Sequence, residues 1–225
     1  MQQQPNSCFK FLLLFVCTAT AFAACKREAM IGDLNANSRT EINGTSTTMI
    51  AENGNAPAAQ IAASEKLTIP AAIEVPANLP EGNTRVATFY AEGVQKYQAR
   101  EKAGSDPVAY EWAFVAPQAN LFDATNAKVG THGAGPFWQV ITGDIIYGQQ
   151  FSPPRTTPSP DLGSIDWLLL MPKAGTAPTG IFTNVVYIQR IATKGGKAPA
   201  TPPTHAGETI SVKYKAVYRF TKKNS

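Results

Sequence analysis

The residues best suited to chemistry gather in one stretch, GTHGAGPFWQV (Gly130–Val140), where one of the chain's two histidines sits among three glycines just before Phe137 and Trp138. Imidazole titrates nearest neutrality, so His132 has three readings: a general base, a metal ligand, or a hydrogen-bonding turn residue. A metal would need at least two more ligands. The other histidine, His205, lies far along in a proline-rich segment, which leaves Asp123 or Asp144 to complete a set. A Ser-His-Asp triad lacks its nucleophile motif, because no G-x-S-x-G occurs and Ser164 in LGSIDW runs into an apolar segment rather than a helix. Asp123, Asp144, Asp161 and Asp166 offer carboxylates for glycoside cleavage, a chemistry that demands a set separation between two of them. Gly130, Gly133 and Gly135 are spaced G-x-x-G-x-G, the reverse of a dinucleotide loop, and lead into a strand pattern, so a nicotinamide-dependent dehydrogenase has no support. No metal and no cofactor is expected.

Gln189 and Arg190 stand together in the middle of VVYIQRIA, and on a strand they face opposite ways. A guanidinium there needs a partner, of which Asp166 or Asp144 is the obvious kind, or else it makes a polar contact to a ligand at a sheet face or barrel mouth. Trp112, Trp138 and Trp167 read as core, with Trp138 able to stack on a sugar ring if it is exposed beside the glycines. The candidate ligand-binding set is therefore His132, Trp138, Asp144, Gln189 and Arg190. An enzyme would need His132, Asp144 and Arg190 in one cleft.

The elements that must position these residues read as strands. TRVATFYA, GVQKYQA, AYEWAFVA, FWQVIT, DIIYGQQF and VVYIQRIAT are short, rich in β-branched and aromatic residues, and punctuated by Gly, Pro, Asn or Asp. Thr142–Asp144 reads as a tight hairpin loop, and IDWLLLMP, apolar on both parities, as an element covered on both faces. The proline clusters SPPRTTPSP and KAPATPPTH read as loops or edges. In SVKYKAVYRFT, Val212, Tyr214, Ala216, Tyr218 and Phe220 share an apolar inner face, while Lys213, Lys215 and Arg219 share a solvated outer one. The expected fold is one all-β domain over residues 67–221, a mainly antiparallel sandwich or barrel, with 222–225 as a basic tail.

Ahead of it the chain has the layout of a secretory leader: Lys10, an apolar run from Phe11 to Ala24, then Lys26 and Arg27. Ala21-Phe22-Ala23 fits an A-x-A cleavage site, whereas Phe22-Ala23-Ala24-Cys25 resembles a bacterial lipobox with Phe22 where leucine is usual. Lipidation of Cys25 is favoured, with residues 1–24 removed. Cys8 and Cys17 would leave with the leader, so the mature chain would hold no free thiol, which excludes a cysteine nucleophile, a Cys-x-x-Cys centre and a thiolate metal site. Residues 26–66 have no Phe, Tyr or Trp and read as a flexible stalk with a reach of about 35 Å, a short helix over 56–66 being the alternative. From Trp167 onward nine Lys or Arg face the single acid Glu208, 9 − 1 = +8, while 26–166 carry ten basic and fifteen acidic residues, 10 − 15 = −5. The basic residues lie on an outer strand face without interleaved aromatics, so no nucleic-acid partner is expected.

The succession GVQKY (93–97), WAFVAP (112–117), VGTHGAGPFW (129–138), IDWLLL (165–170), YIQRI (187–191) and the closing Tyr214, Tyr218 and Phe220 resembles the secreted family of bacteria and fungi known as the domain of unknown function 3455. The resemblance implies an extracytoplasmic setting and no activity. Relatives often carry two cysteines, one at the position of Ala99 and one near Pro202–His205, and their joint absence here implies a lost disulfide.

The function expected is that of a lipid-anchored, non-enzymatic β-domain in the cell envelope that binds a small molecule, a glycan or an envelope partner and meets the membrane through its lipid alone. A hydrolase or lyase using His132 with an aspartate is the rival, and an envelope-structural protein without a ligand is a third possibility. Radiolabelled palmitate should enter the wild-type protein and be lost in Cys25→Ser; no label in the wild type would return the leader to A-x-A cleavage.

Overall fold

The structure, a computed structural model, describes residues 56–76 and 82–224. The leader, Cys25 and most of the segment read as a stalk lie outside the described residues. Eight antiparallel strands follow one another round a closed barrel: β1 (Asn83–Glu101), β2 (Tyr110–Phe122), β3 (Lys128–Gly133), β4 (Phe137–Val140), β5 (Ile145–Thr157), β6 (Trp167–Pro172), β7 (Val185–Gly195) and β8 (Thr209–Lys223). Of sandwich and barrel, it is the barrel, closed by the pairing of β8 with β1. The Glu101/Tyr110 turn lies at what is here called the upper end, and the Asn83/Lys223 pair marks the lower end.

TRVATFYA and GVQKYQA are a single strand, β1, that passes without a break through Gly93. A Cβ at Gly93 would stand 2.1 Å from the Gln118 carbonyl oxygen, so only glycine admits so close a neighbouring ladder. The first proline cluster, expected as a loop or an edge, falls in part on an edge: Ser152–Thr157 belong to β5, above its last pair with β4. Pairing with β6 stops at Gln150 and resumes at Arg155, so Pro153 and Pro154 sit where no ladder hydrogen bond is asked of them. The expected basic tail is likewise partly strand, since Lys222 and Lys223 close β8 against Asn83 and Thr84.

Alternation sorts the side chains into two cores. Inside the barrel pack Leu121, Trp138, Ile146, Leu170, Ile188, Tyr214, Tyr218 and Phe220, with Phe182 of the β6–β7 connection closing the lower end. Outside, Tyr90, Trp167, Leu169, Ile191 and Val217 form a second apolar face, so β6 is covered on both sides as its sequence suggested. That outer face is covered by residues the sequence assigned to the stalk and to the domain's beginning. Pro57–Ser64 form an eight-residue helix, α1, started by Pro57 and rich in alanine, and the chain then runs on to a 3-10 turn at Ala71–Ile73. Ile61 and Ile73 bury themselves in the outer core, which is why this segment is ordered despite having no aromatic residue.

Arginines fasten this strap by its backbone. Arg155 donates to the carbonyls of Ala71, Ala72 and Glu74, and Gln189, facing outward, donates to that of Ile73 at 2.9 Å. Arg219 corrects the expectation of a solvated basic face: it is 4% exposed, donates to the Ser64 carbonyl at 2.8 Å and pairs with Glu65 at 3.3 Å. Burial lowers its pKa and Glu65 works against that, while Glu65 itself, pulled down chiefly by Arg85, stays ionised. The β7–β8 connection is held by other contacts: Trp112 Nε1 donates to the Thr201 carbonyl at 3.0 Å, and Ala99 exchanges backbone hydrogen bonds with Gly207 and Glu208.

Ile73 is fully buried, so Ile73→Ala should lower the unfolding free energy by about 2–4 kcal/mol in urea titration. A loss under about 0.5 kcal/mol would mean that the strap adds no stability.

Candidate functional site

Unequal strand lengths leave a gap in the barrel wall. β3 and β4 are short, and their turn, Ala134–Pro136, ends level with Ala119 of β2 and Tyr147 of β5. β2 and β5 continue upward from there with no strand between them, because β2 runs on from Gln118 to Tyr110 and β5 from Gly148 to Thr157. The gap is a window of about 320 Å³, at the small end of ligand sites. Its sill is Gly135 and Pro136, its sides are Phe114, Val115 and Pro117 against Gln149 and Gln150, and its back wall is Leu168 and Leu170 from the inner face of β6. Gly135, at φ 124°, supplies the left-handed turn that a side chain would strain. The opening is apolar, and Phe114 is 56% and Val115 57% exposed.

Three residues of the window pair across ladders with inward polar side chains: Leu168 with Arg190, Pro117 with Gln95, and Phe114 with Tyr97. Opposed residues on one face stand about 5 Å apart at Cβ, so a polar patch lies directly behind the apolar rim. Arg190 donates from Nε at 3.1 Å and Nη2 at 2.8 Å to the carbonyl of Asp166. The partner expected for this arginine was a carboxylate, and the structure supplies a backbone carbonyl instead. Tyr97 donates to the Gly196 carbonyl at 2.6 Å. Gln95 Nε2 has no hydrogen-bond partner, and the Tyr214 hydroxyl approaches Tyr218 without forming a good one.

Below this patch lies His132, 4% exposed and stacked on Trp138 with ring centroids 4.6 Å apart. Its Nδ1 meets the Phe137 carbonyl at 2.7 Å and its Nε2 meets the Tyr218 hydroxyl at 3.1 Å. A carbonyl only accepts, so Nδ1 carries the proton and Nε2 accepts from Tyr218. Burial pushes the imidazole down to about 3; the Phe137 carbonyl opposes this and the Arg190 charge adds to it. Burial likewise raises the Tyr214 and Tyr218 hydroxyls, so all three groups are neutral at pH 7. With both nitrogens engaged and its basicity lost, His132 is a structural bridge between β3 and β8.

The five candidates thus separate. His132, Trp138 and Arg190 share the barrel interior, although Trp138 is fully buried and cannot be the exposed platform that sugar stacking requires. Gln189 faces the strap. Asp144 lies at the lower end, where its carboxylate accepts from Ile181 N at 3.2 Å and Thr142 Oγ1 at 3.2 Å, so the cleft that an enzyme would need is not assembled. Asp123 accepts from Thr125 and Ala127 in its own turn, Asp161 pairs with Lys194, and Ser164 accepts from Gly195 N. Among the described residues no three His, Cys, Asp or Glu side chains come together as a metal would need. A larger depression of about 410 Å³ lies on the outer wall at Lys213, but there Lys215 pairs with Glu92 and Lys194 with Asp161. Sequence reasoning missed Gln95, Tyr97, Phe114 and Leu168; the inward polar Gln95 in an otherwise apolar parity of β1 was the available signal.

A family model described as a protein of unknown function (DUF3455) matches residues 80–222. Searches of curated proteins and of solved structures found no match.

The buried imidazole makes stability depend on pH in a defined window. Its folded pKa lies below the unfolded value near 6.5, so the unfolded chain binds the extra proton and stability falls as pH drops through 6.5 toward 3. The loss should approach about 1.4 kcal/mol per pH unit. Carboxylates with lowered pKa, such as Glu65 and Asp123, lose their contribution only below about 4.5. Urea titrations between pH 6.5 and 5 should therefore show a slope in the wild type that is absent in His132→Gln; equal slopes would contradict the assignment.

Proposed function

The chain belongs to the family of proteins of unknown function DUF3455, and from its geometry we propose that it is a non-enzymatic binding module whose window admits a small molecule. The observation that carries this is the gap in the barrel wall, lined by exposed apolar side chains whose cross-strand neighbours are inward polar ones, among them Gln95 with hydrogen-bonding capacity to spare. An eight-stranded barrel is just wide enough either to fill with side chains or to hold one small ligand. Here Trp138, Tyr218 and Phe220 fill the interior below the window. Apolar walls with a few placed polar groups suit a small molecule better than a glycan, which would need exposed ring platforms and many polar contacts. Catalysis by His132 with an aspartate draws no support from a neutral, doubly bonded imidazole and an Asp144 at the other end.

In the same proposal the barrel works outside the cytoplasm, held to the envelope by lipid on Cys25. The support is the leader pattern, with Cys25 at the end of its apolar run.

N-phenyl-1-naphthylamine, a neutral apolar dye, should bind the wild-type protein with a rise in fluorescence, and Leu168→Trp, which fills the back of the window, should weaken it at least about tenfold. Absence of binding, or binding that Leu168→Trp leaves unchanged, would favour an envelope-structural protein without a ligand.

A further inference from the structure

Resting on the window as a ligand site, we infer that its ligand is an amphipathic organic anion, an apolar body bearing one carboxylate or sulfonate that Arg190 receives. Five arginines are described, and four are spent. Arg85, Arg100 and Arg219 pair with carboxylates, and Arg155 is taken up by three carbonyls of the strap. Arg190 alone points into the barrel, and among the described residues no carboxylate forms an ion pair with it. A guanidinium is always charged, so the inner wall carries a positive charge at half-buried Arg190, met by the Asp166 carbonyl, phenol dipoles and solvent but by no carboxylate among the described residues. Leaving a charge inside without an opposite charge is costly, and an anionic ligand would remove that cost.

The neighbours agree in sign. Tyr97, Tyr214, Tyr218 and His132 all lie within reach of the Arg190 charge and are neutral, so none of them cancels it. Among the buried polar atoms left without good partners, Gln95 Nε2 and the Tyr214 hydroxyl lie on this face, and both are capable of donating, which suits the oxygens of an anion. Gln95 is 2% and Tyr214 1% exposed, so water has little access to them. In front of these groups the lining is Phe114, Pro117, Pro136, Leu168 and Leu170, which offers nothing to a second charge. One cation paired across the ladder with Leu168, at the back of an apolar window, specifies a ligand with a single acidic head and an apolar remainder.

Two dyes separate this claim from the one it rests on. 8-Anilinonaphthalene-1-sulfonate is N-phenyl-1-naphthylamine with one sulfonate added, so the pair shares its apolar body and differs only in charge. The wild-type protein should bind the sulfonate at least about tenfold more tightly. Arg190→Met should abolish that preference, and Arg190→Lys should keep part of it. Dodecanoate should likewise displace the sulfonate from the wild type at lower concentration than dodecanol, a comparison that needs no variant. Equal affinity for the two dyes, with both sensitive to Leu168→Trp, would overturn the anion assignment and leave the window as a neutral site. If neither dye binds, the window reading fails and the anion assignment fails with it.

Discussion

The hydrogen bond from Tyr218 to His132 crosses the barrel interior and ties its shortest hairpin to a fifteen-residue strand. β3 and β4 offer few ladder bonds of their own, so what fixes them is the wedge of Trp138 and His132 against Tyr218 and Phe220. His132 can serve only while neutral, with Nδ1–H given to its own hairpin through Phe137 and Nε2 open to β8. The hairpin is thereby held to a fixed height, and that height sets the sill of the window. The same burial that makes the imidazole a good bridge removes it from acid–base chemistry, so architecture and function constrain each other at this residue.

Charge is handled differently on the two faces of the wall. Outside, Arg155 and Arg219 hold a strap of low intrinsic order by its carbonyl groups, with Glu65 shared between Arg85 and Arg219. A strap bound through its backbone needs little sequence of its own beyond Ile61 and Ile73 to fill the outer core. Inside, Arg190 donates to one carbonyl, that of Asp166, and among the described residues pairs with no carboxylate. The contrast separates the structural cations from the one left available to a ligand.

Much of the barrel was legible in the sequence because alternation is local: the inner parity Tyr214, Ala216, Tyr218, Phe220 and the doubly apolar IDWLLL both report their own surroundings. What failed depended on distant residues. Nothing near Arg219 announces that a helix 155 positions earlier will cover it, and nothing near His132 points to Tyr218, 86 positions on. Arg190 was recognised as needing a partner, yet a backbone carbonyl leaves no trace in side-chain types. The window was invisible for a related reason: it arises from unequal strand lengths around a closed sheet, and the prolines of FSPPRTT hid the upper half of β5 by resembling a loop.

The account stands most directly on where an amphipathic anion sits in the protein. A crystal structure with 12-bromododecanoate, located by the anomalous signal of its bromine, answers that in one measurement. The carboxylate is predicted beside Arg190, with the chain running out between Phe114 and Leu168 and the bromine at or beyond the rim. A bromine bound on the outer wall or under the strap, with the space behind the window empty, would contradict it.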